Sequence, residues 1–350
     1  MFIYDAYITL RTNKLREDMK SQVIQLKYRP EGMPVADNFN QAELTLEAIK
    51  PGEFLVKNLW MSVDPYMRGR MIDRKSYIAP FELGKALEGG AIGEVIESLN
   101  PDFPVGSKVN SMLGWRSHFI TDGTEITRLP ETPLCESHFL GVLGMPGMTA
   151  WTGLNRIAEL KAGETLFVSA ASGAVGSVAV QIGKLMGARV VASVGSNDKA
   201  DYLRKLGVDE VINYKTCGDL NAALAQAAPE GIDVYFENVG GDHLSAALNN
   251  MKDHGRIAVC GMIAQYNDTA PTPGPSNLAQ IIIKKLKIEG FIVFEHWDHY
   301  GEFAAQMGQW LAAGKVHAEQ TIYEGLSQAP DAFIGLFEGK NRGKMVVKLG

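Results

Sequence analysis

Apolar and polar positions change rhythm along the 350-residue chain. As far as about Pro133, short stretches of alternating residues, such as 53–60, 90–97 and 108–112, are separated by Gly and Pro. That pattern predicts a mainly β region of strands and turns. From about Gly141 to Val293 the rhythm becomes strand, helix, strand. Strands are predicted over 165–170, 189–194, 210–212, 232–236, 256–260 and 286–292, with helical segments between most of them. Such alternation builds an α/β, doubly wound parallel sheet. After Glu302 a helical stretch leads to a last apolar strand over 343–349, expected to rejoin the first domain.

The most informative stretch is 165–199. Residues 165–170 are an apolar run suited to a strand buried on both faces, and Ala171-Ser172-Gly173-Ala174-Val175-Gly176 follows it as a G-x-G-x-x-G pattern with alanine first. Val175, Val178, Ala179, Ile182, Leu185 and Met186 then recur on one helix face, before a second apolar strand at 189–194. In this context Gly173 lets the backbone approach a pyrophosphate, Gly176 lets the helix sit close to the strand, and the helix N-terminus faces the phosphate charge. The unit therefore reads as dinucleotide-binding. An NAD-specific unit carries Asp or Glu about 20 residues on, for the ribose hydroxyls. Here that place holds Val194-Gly195, with Ser196 and Lys199 just beyond. No carboxylate repels a 2'-phosphate and an ammonium attracts it, so NADP(H) is favoured. The competing reading of Lys199 is a solvated residue in the first turn of the next helix.

Length suggests about two domains, and 46% hydrophobic residues suffice for sizeable cores. A net charge of −6 gives no basic footprint for nucleic acid or an anionic membrane. Three cysteines, Cys135, Cys217 and Cys260, are too scattered for a disulfide framework and form no C-x-x-C zinc pair, which fits a reducing cytoplasm. There is no secretory signal arrangement and no apolar run near the 18 residues of a membrane span. His296 and His299 lie three apart and invite a metal reading, but no third ligand is apparent. The aromatic segment before them suits the wall of a substrate pocket instead. Ser172 lies in the phosphate loop without the G-x-S-x-G context of a nucleophile. The Pro-rich run 269–276 suits a surface loop near a cleft.

Several segments carry a resemblance: VDPYMRGR at 63–70, GMPGMTA at 144–150, the loop at 171–176, NYK at 213–215, YFENVGG at 235–241, CG at 260–261, QYN at 265–267, EGFIV at 289–293 and GKNRGK at 339–344. Together they resemble the zinc-independent branch of the medium-chain dehydrogenase/reductase superfamily, in its leukotriene/prostaglandin reductase and alkenal double-bond reductase group. The run 141–150 and MGQW at 307–310 are similar to its bacterial curcumin reductases. Residues 1–18 precede the usual family start, and Met19 reads as a natural beginning. The resemblance implies a GroES-like catalytic domain from 1–139 and 308–350, a Rossmann NADP(H)-binding domain at 140–307, and a homodimer formed through the Rossmann sheets. Zinc-dependent relatives carry Gly-His-Glu where this chain has Ala86-Leu87-Glu88, and a four-cysteine lobe that is missing here. No metal site is expected.

The same resemblance places Gly173, Ala174, Val175 and Gly176 on the pyrophosphate, Lys199 and Tyr214 at the adenosine 2'-phosphate, and Asn238, Cys260, Phe291, Val293 and Asn341 around the nicotinamide half. Met145 and Thr149 would line that crevice. The implied reaction is reduction of a carbon–carbon double bond conjugated to a carbonyl, with hydride delivered to the β-carbon and an enolate oxygen that needs a donor. Tyr266, where the family's substrate-contacting tyrosine falls, is the first candidate donor; Tyr66 is the second. Each has a plainer reading: Tyr66 anchors the turn after Pro65, and Tyr266 covers the cofactor. Likewise Cys260 reads as a small buried strand residue and Asn238 as a strand-end turn residue. The expected partner is a small enone or alkenal. An NADPH:quinone reductase and a non-enzymatic NADPH-binding protein are the alternatives.

Overall fold

A computed structural model describes residues 19–350, so the leading segment read as an extension lies outside them. Two compact units result. One holds the chain up to Leu140 with Ile322–Glu338 and Met345–Gly350; the other holds Gly141–Thr321 with Gly339–Lys344.

The second unit is a six-stranded parallel sheet of β1 (Thr165–Val168), β2 (Arg189–Val194), β3 (Glu210–Asn213), β4 (Ile232–Glu237), β5 (Met251–Val259) and β6 (Lys287–Gly290), in spatial order β3-β2-β1-β4-β5-β6. The order reverses between β1 and β4. In an open α/β sheet, ligands bind outside the strand C-termini at that switch point. The strands are apolar because helices cover them: Leu166, Phe167, Val190, Val191, Val234 and Phe236 are all fully buried. Each such side chain contributes about 1.5–3 kcal/mol on leaving water. Helix α1 (Met145–Thr152) precedes the sheet, and α2 (Gly176–Leu185) joins β1 to β2, burying Val178, Ala179 and Ile182. Gly187, at φ +81°, stops α2 in the left-handed conformation that favours glycine.

Helices α3 (Asn197–Lys205), α4 (Leu220–Ala227) and α5 (Gly241–Asn250) cross between β2, β3, β4 and β5. Helix α6 (Tyr300–Ala312) also belongs to this unit, which differs from the boundary expected at 308. It is one continuous element whose buried Phe303 lies 6.4 Å from the Trp151 ring of α1, so the helix is not divided at Gly308. Trp151 Nε1 donates to Gln306 Oε1 at 2.7 Å on the same face.

The first unit is mainly β. Phe54–Ser62 pairs antiparallel with Ala91–Ser98, His118–Thr121 and Lys344–Lys348, so the last strand of the chain enters this sheet. A hairpin of Lys20–Leu26 and Phe39–Thr45 accompanies it. Phe39 stacks on Trp115 at 6.0 Å, and Phe333 meets Trp115 edge-on at 6.2 Å, forming an aromatic centre to its core. Among the described residues no helix is long and apolar enough to cross a membrane.

Candidate active site

The glycine loop leaves β1 two residues earlier than the apolar run suggests. The chain turns at Ala170, which takes φ +46°, and Ala171 N–H then donates to Ser193 O of β2 at 3.1 Å. Gly176 has no room for a side chain: a Cβ there would lie 2.5 Å from Ala170 O and 2.7 Å from Ala171 Cα, both backbone atoms that cannot swing aside. Gly173 is less crowded, its nearest neighbour being Ala170 O at 3.3 Å. Gly176→Ala is therefore expected to lower the unfolding free energy by about 2–3 kcal/mol through overpacking, and Gly173→Ala by under about 1 kcal/mol. Urea unfolding of the two variants checks the order; equal losses would contradict it.

The segment Gly339–Lys344 folds back onto this loop. Gly343 N–H donates to Ser172 O at 2.8 Å, Asn341 Nδ2 donates to Gly343 O at 3.1 Å, and a Cβ on Gly173 would stand 3.9 Å from Asn341 Nδ2. Asn341 is thus brought beside the glycine loop. Lys199 lies in the first turn of α3, and its Nζ donates to Gly339 O at 2.6 Å. One of its three donors is spent there; burial holds its ammonium below the ordinary range, and the like charge of Lys215 adds to that against the opposing pull of Asp198. Ser196 Oγ donates to Asp198 Oδ1. Tyr214, at the end of β3, is 39% exposed and meets the His243 ring edge-on at 5.0 Å.

At the other side of the switch point a buried polar network holds the turn after β4. Ser169 Oγ accepts from Tyr235 Oη and from Asn238 N–H, each at 3.0 Å, and donates to Glu237 Oε1 at 3.1 Å. Its one donor and two acceptor sites are all used. Glu237 Oε1 also accepts from Val239 N–H at 2.6 Å and Gly240 N–H at 2.9 Å, and Asn238 Nδ2 donates to Ser169 O at 2.8 Å. Burial raises the Glu237 carboxyl above its ordinary range. Ser169 and Glu237 fix the place of Asn238, and neither stands out in the sequence, because a lone polar residue ending an apolar strand has no periodicity.

Cys260 follows β5 and is half-buried; desolvation, reinforced by Glu237, pushes its thiol up to about 12, so it stays protonated. Phe291 packs edge-on against Phe236, with ring centroids 6.5 Å apart, in space that Gly153 leaves open. Val293 is buried, and Met145 is half-buried at the start of α1. Thr149 donates its hydroxyl to Met145 O at 2.7 Å, which leaves only its acceptor sites for a ligand. Met262 N–H donates to the Tyr266 hydroxyl at 3.4 Å, and a Cβ built on Gly261, two residues after β5, would stand 3.0 Å from that oxygen.

Tyr66 lies in the first unit, just before the single helical turn Met67–Arg70. Burial, then the Asp64 carboxylate, pushes its phenol far above the ordinary value, so it is a donor throughout the physiological range. Glu88, at the place of the zinc-dependent Gly-His-Glu, pairs with Arg70 at 2.7 Å. His296 packs against Phe291 and His299 against Trp151, and among the described residues no three His, Cys, Asp or Glu groups are placed to hold a metal ion. The Pro-rich run 269–276 is an exposed loop.

The glycine cradle at 173–176 and the ammonium of Lys199 fit a phosphorylated dinucleotide. Comparison with known proteins agrees. Residues 22–129 match the family described as the N-terminal domain of oxidoreductase, and 174–312 the family described as zinc-binding dehydrogenase. The chain is 41% identical over 334 residues to the NADPH-dependent curcumin reductase of Escherichia coli (strain K12), covering 93% of this chain and 95% of that one. It is 42% identical over 341 residues to the NADP(+)-dependent 2-alkenal reductase of Nicotiana tabacum, covering 95% and 98%. The crystal structure of CurA in complex with NADPH from Vibrio vulnificus superposes with a TM-score of 0.90 at 44% identity, covering 94% of this chain and 99% of that one.

Proposed function

Because the chain belongs to the zinc-independent branch of the medium-chain dehydrogenase/reductase superfamily, in its prostaglandin and alkenal reductase group, we propose that it reduces the carbon–carbon double bond of α,β-unsaturated ketones and aldehydes with NADPH as reductant. The observation that carries this reading is a likeness to curcumin and alkenal reductases over almost the whole chain, joined to a phosphate loop followed by Lys199 instead of a carboxylate. The substrate class is apolar or aromatic enones, curcumin-like molecules and alkenals.

NADPH, when bound, supplies the hydride that adds to the β-carbon. The backbone of Gly173, Ala174, Val175 and Gly176 takes the pyrophosphate, and Ser196, Lys199 and Tyr214 take the 2'-phosphate. Asn238, held by Ser169, flanks the nicotinamide half with Met145, Thr149, Cys260, Phe291, Val293 and Asn341. Negative charge develops on the carbonyl oxygen as the β-carbon is attacked, and a phenol donating to that oxygen lowers the barrier. Tyr266 is proposed for that role and Tyr66 as its alternative. The α-carbon then takes its proton from solvent, so no dedicated acid is required. A steady-state assay with an aryl enone and with a benzoquinone tests the reading. Enone turnover supports it; quinone turnover with inert enones makes the chain a quinone reductase, and NADPH binding without turnover of either makes it a non-enzymatic binder.

The partner is a small-molecule substrate, and a second copy of the chain is the proposed macromolecular one. Strand β6 is the edge of the parallel sheet among the described residues, and exposed apolar side chains stand beside it: Leu278, Ile283, Ile288 and Ile282, the last 82% exposed. An open edge with an apolar flank is a pairing surface. Light scattering is expected to give twice the chain mass, and Ile282→Lys with Ile283→Lys to give the single chain; a wild-type monomer would contradict the dimer. Three free cysteines suit the reducing cytoplasm, where we place the enzyme.

A further inference from the structure

The turns that follow β2 and β3 share a gap. Gly195 is the first residue after β2, and a Cβ built on it would lie 2.9 Å from Tyr214 Oη, 3.2 Å from Tyr214 Cζ and 3.3 Å from Lys215 Cε. Both side chains therefore lean from the end of β3 across the end of β2. The backbone beneath them is fixed: Tyr214 N–H donates to Val194 O at 3.0 Å, Lys215 N–H to Asn213 Oδ1 at 3.2 Å, and Asn213 Nδ2 to Asn197 Oδ1 at 2.8 Å. Behind Tyr214 stands His243, only 5% exposed and edge-on to the phenol ring, so the ring has a wall to rest on.

Lys199 lies within electrostatic reach of Lys215. The like charge of Lys215 is one of the causes, after burial, that hold the Lys199 ammonium low. Asp198, the carboxylate that acts on Lys199, accepts a hydrogen bond from Ser196 Oγ. Two ammonium groups that repel each other gain when a phosphate dianion lies between them. Position 195 is also where NAD-preferring units carry Asp or Glu. Here an acid would press on the tip of the exposed Tyr214 side chain and face two cations.

We infer that Lys215, which the proposed function leaves without a role, is a second cation of the adenosine 2'-phosphate site, its stem reaching that site across the open space at Gly195. The inference rests on the NADP(H) reading of this site. Calorimetric titration of the full chain with 2',5'-ADP and with 5'-AMP tests it without turnover. Lys215→Met is expected to weaken 2',5'-ADP about tenfold and leave 5'-AMP within about twofold, and Lys215→Arg to retain most of the affinity. Unchanged 2',5'-ADP binding in Lys215→Met, or an equal loss for both nucleotides, overturns the inference. If the wild-type chain itself binds both nucleotides equally, the NADP(H) reading fails first.

Discussion

Replacing Lys199 with alanine is expected to raise the dissociation constant for NADPH by about 10- to 100-fold while leaving that for NADH within about twofold. Hydrogen bonds to charged groups contribute about 1.5–3 kcal/mol, and each 1.4 kcal/mol is about tenfold in affinity. The loss falls within that range because the ammonium is half-buried and already oriented by Gly339 O. A prearranged donor loses little entropy on binding. NADH lacks the 2'-phosphate and has nothing there to lose. Fluorescence titration of both cofactors checks the result, and an equal loss for the two would return Lys199 to a solvated helix residue.

Replacing Tyr266 with phenylalanine is expected to lower kcat about 100-fold with the NADPH dissociation constant unchanged. Loss of one donor to a developing oxyanion costs about 10²–10³ in kcat, and a fall in kcat and kcat/KM together marks an interaction made only in the transition state. The phenol sits at the end of β5 beside Gly261, in the row of strand C-termini that also presents Asn238 and Cys260. Phenylalanine keeps its packing, which separates the hydroxyl from the ring. Should Tyr266→Phe turn over normally while Tyr66→Phe does not, the donor is Tyr66, whose buried phenol stays protonated for the reasons given above.

The nucleotide unit was readable where burial imposes a simple pattern. Strand β2 runs over Arg189–Val194 as its mainly apolar run predicts, since all but the exposed Arg189 is buried. Strand β1 stops at Val168 rather than at residue 170, because Ala170 turns the chain at positive φ, which apolarity does not signal. Strand β5 begins at Met251, five residues before its expected start: Lys252 and Asp253 are polar and His254 takes φ +62°, so an irregular pairing with β4 hides the strand from periodicity. In the candidate site, the glycine loop and Lys199 carry a local signal, because phosphate binding needs those residue types at those offsets. The return of Gly339–Lys344 to Ser172, the Ser169–Glu237 network and the gap at Gly195 do not. Each depends on residues distant in sequence meeting through the order of the sheet, and local pattern carries no record of such meetings.

The central claim, reduction of a conjugated carbon–carbon double bond, is tested most directly by following the transferred atom. With NADPH carrying deuterium at its transferable position and an aryl enone as substrate, the claim predicts one equivalent of saturated ketone per NADPH consumed, with deuterium on the β-carbon. An allylic alcohol with deuterium on the former carbonyl carbon, or NADPH consumed only when a quinone is present, would contradict it.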